Sequence, residues 1–212
     1  MLSDILSLTN PDDFTYHINL VAKELNLNVE TEEWKNLIAL IKDTNPLYRN
    51  NKFVYHNWIH IFYTALVGYY LAVMNNEYIS VKRHVFISLL LHDLGHSCGV
   101  FEEKLNIEIA KTYASYILTD YFLQKINAND IRLHFIIENI IASSDNETKF
   151  FNRTRQYIKD ADLTMALSAL SNMFATGLNN ELNTNYYTHE NMLLFAKSQR
   201  IYTQQLKNLL GV

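Results

Sequence analysis

Chain breakers are scarce in this sequence. Only five glycines and two prolines occur among 212 residues, and apolar side chains recur every three or four positions in most segments. This spacing places apolar side chains on one face of a helix, whereas a half-buried strand needs strict alternation, which we do not find. The pattern therefore predicts an all-α protein, a compact helical bundle that forms one domain over residues 1–212.

Start and stop signals bound the expected helices. Asn10 and Pro11 form an N-cap followed by proline at the first helical position, and Thr31 opens the next helix. Pro46 disfavours helical backbone in the residue before it. Residues 47–54 are expected to form a loop. We expect helices at about residues 11–25, 31–45, 56–74, 80–94, 102–123, 130–143, 153–170 and 189–210.

Composition argues against several classes of protein. The net charge is −4 and the 18 basic residues form no run, which is unlike a nucleic-acid binder. The single cysteine, Cys98, cannot form an internal disulfide, in agreement with a reducing compartment. Residues 1–5 lack a signal-peptide pattern, and the apolar stretch 61–74 is shorter than a membrane-spanning helix needs. We expect a cytoplasmic protein that binds neither nucleic acid nor membrane; a homodimer is left open.

Histidine and aspartate recur in three separate segments, Tyr55–His60, Leu91–His96 and Asp160–Thr164. Metal ligands must converge from several elements, and helices achieve this with residues three or four apart. In the first segment, His56 and His60 are four residues apart. If both lie on one helix, their imidazoles point the same way.

The other two segments add carboxylates. His92 and Asp93 are adjacent and can straddle one metal, while His96 is one helical turn further and leans toward the same pocket. Asp160 and Asp162 would lie roughly 200° apart on a helix, so only one of them can face the site. Mixed imidazole and carboxylate ligands suit Mg²⁺, Mn²⁺, Fe²⁺, Zn²⁺ or Ni²⁺. We expect one or two divalent ions, whose identity the residues do not distinguish.

In this order, the segments resemble the HD superfamily of metal-dependent phosphohydrolases, over about Tyr55 to Ala166. The resemblance implies that Asp93 would also bridge to a second ion, if one binds. The run Ala161–Thr164 is similar to the family's Ala-Asp-Leu-Ser/Thr pattern, which favours Asp162 over Asp160. The implied ligands of the principal metal are His60, His92, Asp93 and Asp162.

The flanking residues are most similar to class I cyclic nucleotide phosphodiesterases. Tyr55–His60 resembles their Tyr-His-Asn-x-x-His signature, and His92–Gly99 resembles their His-Asp-x-x-His-x-Gly segment with one extra residue before the glycine. Ile140–Asp145 looks like their Ile-x-Ala-Thr-Asp stretch, although Asn146–Lys149 follows in place of the family's next histidine. Candidates for the family's purine-clamping glutamine are Gln199, Gln204 and Gln205.

The resemblance implies hydrolysis of a phosphoester in a nucleotide or small phosphorylated metabolite. A divalent ion would activate water, and His56 would be the general acid, with Glu102 or Glu103 raising its pKa. His96 would orient a water molecule or the phosphate. The expected substrate contacts are Arg49, Asn57 and Arg155.

Three alternatives remain at this stage. A nucleoside mono- or triphosphate hydrolase could use the same scaffold. A di-iron oxygenase would need further histidines between the His-Asp pair and the last aspartate, where only His134 is available. Retention of all four implied ligands argues against a non-catalytic HD sensor.

Overall fold

Helices form most of the regular structure in the part of the chain that the structure describes. The computed structural model describes residues 2–144 and 152–212. The helices are α1 (Leu2–Leu6), α2 (Pro11–Glu24), α3 (Glu32–Thr44), α4 (Trp58–Met74), α5 (Ile79–Leu91), α6 (Glu103–Ile117), α7 (Asp120–Lys125), α8 (Leu133–Ser144), α9 (Arg153–Asp162), α10 (Ser171–Leu182), α11 (His189–Ser198) and α12 (Gln204–Leu210). A 3-10 helix spans Leu163–Leu167, and β1 (Tyr48–Arg49) pairs antiparallel with β2 (Lys52–Phe53). The prediction of an all-α fold is confirmed.

Helix α4 lies at the centre of the fold. Its residues from Trp58 to Ala72 are all buried, as expected for a helix that is apolar on every side. Helices α1, α2, α5 and α9 pack around it. A Cβ atom on Gly68 would lie 2.3 Å from the Leu89 side chain, so glycine at this position allows α5 to pack closely. Within the described ranges, no helix is long and apolar enough to cross a membrane.

The capping signals predicted the starts of two helices correctly. The Asn10 side chain accepts a hydrogen bond from the backbone N–H of Asp12 at the start of α2. Thr31 accepts one from the N–H of Trp34 at the start of α3. Helix α3 ends at Thr44, ahead of Pro46, as predicted.

Three predicted long helices are interrupted. The segment 102–123 breaks into α6 and α7, where the Thr119 hydroxyl caps α7 by accepting from the N–H of Phe122. The segment 189–210 breaks in the same way at Thr203, which caps α12. The segment 153–170 leaves α-helical geometry at Asp162 and continues as the 3-10 helix. Apolar periodicity continues across such breaks, because a threonine cap interrupts the backbone and not the buried face.

Two helix boundaries move motif residues into loops. Helix α4 begins at Trp58 with Asn57 as its N-cap, so His56 precedes the helix. Helix α5 ends at Leu91, so His92 is its C-cap and Asp93 lies in the following turn. The prediction that His56 and His60 share one helical face is therefore wrong. Residues 146–149, which stand in place of the family's next histidine, lie outside the described residues.

Candidate metal centre

The N-terminus of α4 fixes the first histidine of the site. Asn57 is fully buried, and its Oδ1 accepts from the backbone N–H groups of Ile59 at 2.8 Å and His60 at 3.2 Å. Its Nδ2 donates to the carbonyl of Val54. Both ends of the side chain are thus used inside the protein, which holds His60 in the first turn of α4. These contacts give Asn57 a capping role, and its predicted contact with substrate stays a prediction.

A second buried asparagine joins the two histidine segments. Asn45, at the C-terminus of α3, donates from Nδ2 to the carbonyls of His56 and Asp93, both at 2.9 Å. Its Oδ1 accepts from the N–H of Gly95 at 2.9 Å. One side chain therefore sets the distance between the segment before α4 and the turn after α5. From the sequence, Asn45 was predicted only as the end of a helix, and no sequence pattern indicated its contacts with these two loops.

Four side chains converge below this asparagine. Asp93 Oδ2 lies 3.0 Å from His60 Nε2 and 3.0 Å from His92 Nε2. Asp162 Oδ1 lies 3.4 Å from His60 Nε2 and 3.7 Å from His92 Nε2. Two ligands about 2.1 Å from one ion are about 3.0 Å apart at a right angle and about 3.4 Å apart at a tetrahedral angle. The observed spacings match such a shell, and His60, His92 and Asp93 form a buried group that could hold a metal ion.

The hydrogen bonds of these histidines also suit a metal. His92 Nδ1 donates to the carbonyl of Leu89 at 2.7 Å, which orients the ring with Nε2 toward Asp93 and Asp162. The Nε2 atoms of His60 and His92 are both buried and face the same two carboxylates. Burial opposes protonation of His92, but Asp93 and Asp162 raise its pKa well above the usual value. A cation bound among these atoms would replace that proton.

The two neighbouring aspartates of α9 have different surroundings. Asp160 is fully buried and accepts from the backbone N–H groups of Tyr202 at 3.0 Å and Thr203 at 2.6 Å, which attaches the C-terminal segment. Asp162 points instead at the rings of His60 and His92. The structure thus places Asp162, and not Asp160, beside the candidate ligands. Burial opposes ionisation of Asp162, but its hydrogen bonds to the two histidines hold its pKa below the usual range.

His56 is paired with a carboxylate that the sequence analysis missed. Its Nδ1 lies 2.7 Å from Glu181 Oε2, and its backbone N–H donates to Glu181 Oε1 at 2.8 Å. Burial alone would lower the pKa of His56, but the charge and hydrogen bond of Glu181 raise it from 6.5 to about 9. Glu103 contributes a smaller charge effect, while Glu102 is not among the main causes of the shift. Glu181 lies on α10, a helix absent from the sequence prediction, so no signal identified it.

His96 stacks on His56. Their ring centroids are 3.6 Å apart and the ring planes differ by 23°. Burial, and then the positive charge of His56, lower the pKa of His96, so this ring stays neutral. Its Nδ1 accepts from the N–H of Cys98 at 3.1 Å, which leaves the proton on Nε2, 3.5 Å from Glu103 Oε2.

His56, His96 and Glu181 also lie close enough together to be considered as metal ligands. The lone pairs of an imidazole lie in the plane of its ring, and two nearly parallel stacked rings cannot direct them at one ion. The short hydrogen bond between His56 and Glu181 explains this group better. We therefore interpret it as a pair that holds a proton, next to a separate group that could hold a metal.

Two glycines allow α10 to approach closely enough to bring Glu181 to His56. A Cβ atom on Gly177 would lie 2.7 Å from the backbone nitrogen of Tyr55. A Cβ atom on Gly99 would lie 2.1 Å from the carbonyl oxygen of Glu181, and Gly99 has a φ of +86°. Both contacts are shorter than a side chain tolerates. The position of the Glu181 carboxylate therefore depends on glycine at positions 99 and 177.

Both arginines predicted to contact substrate bind protein groups. Arg49 Nη2 donates to the carbonyls of Thr44 at 2.9 Å and His96 at 3.0 Å, which ties the hairpin to the turn after α5. Arg155 forms an ion pair with Glu138 on α8. The structure does not bring either guanidinium into the group of candidate ligands. Substrate contact by these arginines stays a prediction.

A pocket of about 200 Å³ opens beside the candidate ligands. His56 and Asp162 line the side nearest the histidine cluster, and the hydroxyl-bearing residues Tyr55 and Tyr187 also line it. The remaining walls are apolar: Leu163, Met165, Ala166, Leu178, Met192 and Phe195. The pocket, the proton-holding pair and the metal-type group are thus contiguous.

Comparison of the chain with protein-family models, curated proteins and solved structures finds no match. Part of the segment Ile140–Asp145, which carries one of the sequence resemblances, lies outside the described residues. What the fold and the site define is an all-α protein with a buried histidine and aspartate group that could hold a metal ion.

Proposed function

We propose that this protein is a metal-dependent phosphoester hydrolase of the HD type. The observation that carries the proposal is the arrangement of His60, His92 and Asp93, whose buried imidazole nitrogens meet at one carboxylate, beside a histidine held protonated by Glu181. A metal-type ligand group next to a proton donor is the pair of functions that phosphoester cleavage needs.

The ligand group would be completed by Asp162. When bound, a divalent ion supplies Lewis acidity and lowers the pKa of a coordinated water molecule. His60 and His92 would offer their Nε2 atoms to it, with the ion displacing the proton that Asp93 and Asp162 hold on His92, and the two aspartates would offer carboxylates. Burial opposes ionisation of Asp93, but the charge of His92 and hydrogen bonds from His60 and His92 hold its pKa well below the usual range. The carboxylates would also neutralise the charge of the cation inside the protein.

His56 would deliver the proton to the departing oxygen. Glu181 occupies its Nδ1, so the remaining N–H, on Nε2, is free to donate. With a pKa of about 9, His56 carries this proton at neutral pH. His96 would keep the His56 ring in place by stacking, in addition to the predicted role in orienting water or phosphate. Glu181 would act by holding the orientation and charge of His56.

The substrate class follows the sequence resemblance, which is to phosphodiesterases that act on nucleotides. We propose a nucleotide or another small phosphoester, with nucleoside mono- and triphosphates as the competing substrates on the same scaffold. The oxygenase alternative gains no support from the described residues, because His134 is exposed on α8 and belongs to neither histidine group.

The test is a hydrolysis panel that crosses metals with substrates. Purified protein, stripped with chelator, is reloaded with Mn²⁺, Mg²⁺, Fe²⁺, Zn²⁺ or Ni²⁺ and assayed on bis(4-nitrophenyl) phosphate, cyclic nucleotides, and nucleoside mono- and triphosphates. We expect turnover that depends on added metal and falls at least about 100-fold in His92→Ala and Asp93→Asn. His134→Ala, which removes an exposed histidine, is the matched control and should keep full activity. Absence of turnover with every metal and every substrate would refute the proposal.

A further inference from the structure

The size and lining of the pocket beside the candidate ligands limit which group can be attached to the phosphate. It is lined by His56, the proposed proton donor, and by Asp162. The alkyl or aryl group esterified to the phosphate would therefore lie in this pocket when its oxygen takes the proton from His56. We propose that this pocket binds the ester group of the substrate and selects one that is compact, apolar and uncharged. The inference rests on the proposed hydrolase function and narrows its substrate class.

Charge in the pocket argues against further phosphate groups. Among the described residues that line it, none is lysine or arginine, and the charged groups are His56 and Asp162. Phosphates are normally bound by arginine, lysine or helix N-termini, which neutralise them. A di- or triphosphate tail in this pocket would face apolar side chains and the carboxylate of Asp162, with His56 as the one positive group among the described lining residues. The structure therefore favours a substrate with one phosphate group.

The polar groups of the pocket also argue against recognition of one particular nucleobase. A base edge is read by side chains that donate and accept together, such as a carboxamide. The pocket has no carboxamide, and its polar side chains away from Asp162 and His56 are the two tyrosines. The candidate glutamines contact other residues: Gln205 accepts from Asn75, and Gln204 and Gln199 donate to Asn208 and Ser198.

Size narrows the class further. The volume of about 200 Å³ is below the roughly 300–1,000 Å³ of pockets that enclose drug-sized ligands. A single aromatic ring or a short branched alkyl group is the kind of moiety that such walls accommodate. Phe195 closes the outer side of the pocket on α11 and is 56% exposed, so an apolar group bound there would cover part of its ring.

The first test measures binding without turnover. Calorimetry on the Mn²⁺-loaded protein compares phenylphosphonate with methylphosphonate, which share the anionic group and differ in the apolar one. We expect phenylphosphonate to bind at least about tenfold more tightly, about 1.4 kcal/mol. In Phe195→Lys this ratio should fall to about twofold or less. Leu194→Lys puts the same charge on the neighbouring exposed residue, outside the pocket, and should keep the wild-type ratio.

Hydrolysis separates this inference from the proposed function. Wild-type protein should cleave aryl phosphoesters with a lower KM than nucleoside triphosphates. Phe195→Lys should reduce this difference in KM, and Leu194→Lys should leave it unchanged. Equal binding of the two phosphonates, or a preference for triphosphates, overturns the inference while the hydrolase function stands. Tighter binding of phenylphosphonate without turnover of any phosphoester would support the apolar pocket and refute the proposed hydrolase function.

Discussion

Replacement of Glu181 by glutamine isolates the electrostatic contribution of one buried pair. Glutamine keeps the shape of the side chain and a hydrogen-bonding oxygen but removes the charge that holds the proton on His56. Without that charge, burial still lowers the pKa of His56, and the smaller effects of the Asp93 and Glu103 charges oppose it. The pKa of His56 should then fall well below the wild-type value of about 9.

The size of the effect follows from the shift in pKa. The His56 pKa rises from 6.5 to about 9 in the folded protein, and each unit corresponds to about 1.4 kcal/mol. The His56 side chain is 21% exposed and Glu181 only 1%, so solvent screens the pair little. The pair therefore stabilises the wild type by up to about 3 kcal/mol, an order-of-magnitude value.

The sign of the pH dependence is fixed by the same shift. A histidine whose pKa is raised on folding contributes its full stabilisation below pH 6.5 and loses it as the pH rises through about 9. Burial opposes ionisation of Glu181, but the charge and hydrogen bonds of His56 lower its pKa below the usual 4.5. On the acid side, the stabilisation by the pair is therefore lost only as the pH falls below 4.5. We expect the wild-type free energy of unfolding to decline between pH 6.5 and 9, and Glu181→Gln to show a smaller decline, because the raised pKa of His92 still contributes.

Urea denaturation of the metal-free proteins at half-unit pH steps measures both curves, and NMR titration of the His56 ring measures its pKa directly. Glu190→Gln, which neutralises an exposed carboxylate on α11, is the control and should follow the wild type. If Glu181→Gln keeps the wild-type slope above pH 6.5, or if the His56 pKa stays near 9, the reasoning about this pair is wrong.

Three further substitutions test other contacts. Asp160→Asn should destabilise the protein by about 1–3 kcal/mol, because the backbone amides before α12 lose a charged acceptor, and should leave metal content unchanged. Asp162→Asn should lower metal affinity in calorimetry, and it should also destabilise the metal-free protein at neutral pH, because His60 and His92 lose a carboxylate partner. Gly99→Ala should destabilise by at least about 1 kcal/mol, through its positive φ and the clash with the Glu181 carbonyl, and should lower the measured His56 pKa. A Gly99→Ala protein with an unchanged His56 pKa would contradict the role given to the close approach of α10.

The sequence predicted what depends on local patterns. Apolar periodicity gave the helical class, and the capping residues Asn10 and Thr31 gave the starts of α2 and α3 because their hydrogen bonds lie within three residues. The residues expected as ligands were identified because each of them lies within a short local motif, and the structure brings these motifs together. Nothing in such a pattern reports which distant element packs against it, so the sequence indicated Glu102 and Glu103, which follow the His-Asp segment, and did not indicate Glu181.

The missed contacts are long-range in sequence and short in space. Glu181 reaches the ring and the backbone of His56 from α10, and Asn45 joins two loops from the end of α3 through their backbone atoms. The helix boundaries were also off by two or three residues at α4 and α5. That difference is small for the fold, but it moves His56 and His92 from helical faces into loops and changes how their rings are oriented.

The alternation of Asp160 and Asp162 at the end of α9 has a consequence for the last part of the chain. One carboxylate faces the metal-type group, and the other, two residues earlier, anchors the backbone that begins α12. Any ion that stiffens the end of α9 therefore also slows the opening of the C-terminal segment. Amide hydrogen exchange at Tyr202 and Thr203 should report occupancy of a site that these residues never touch, and a protease that trims the C-terminus should cut more slowly when the ion is bound.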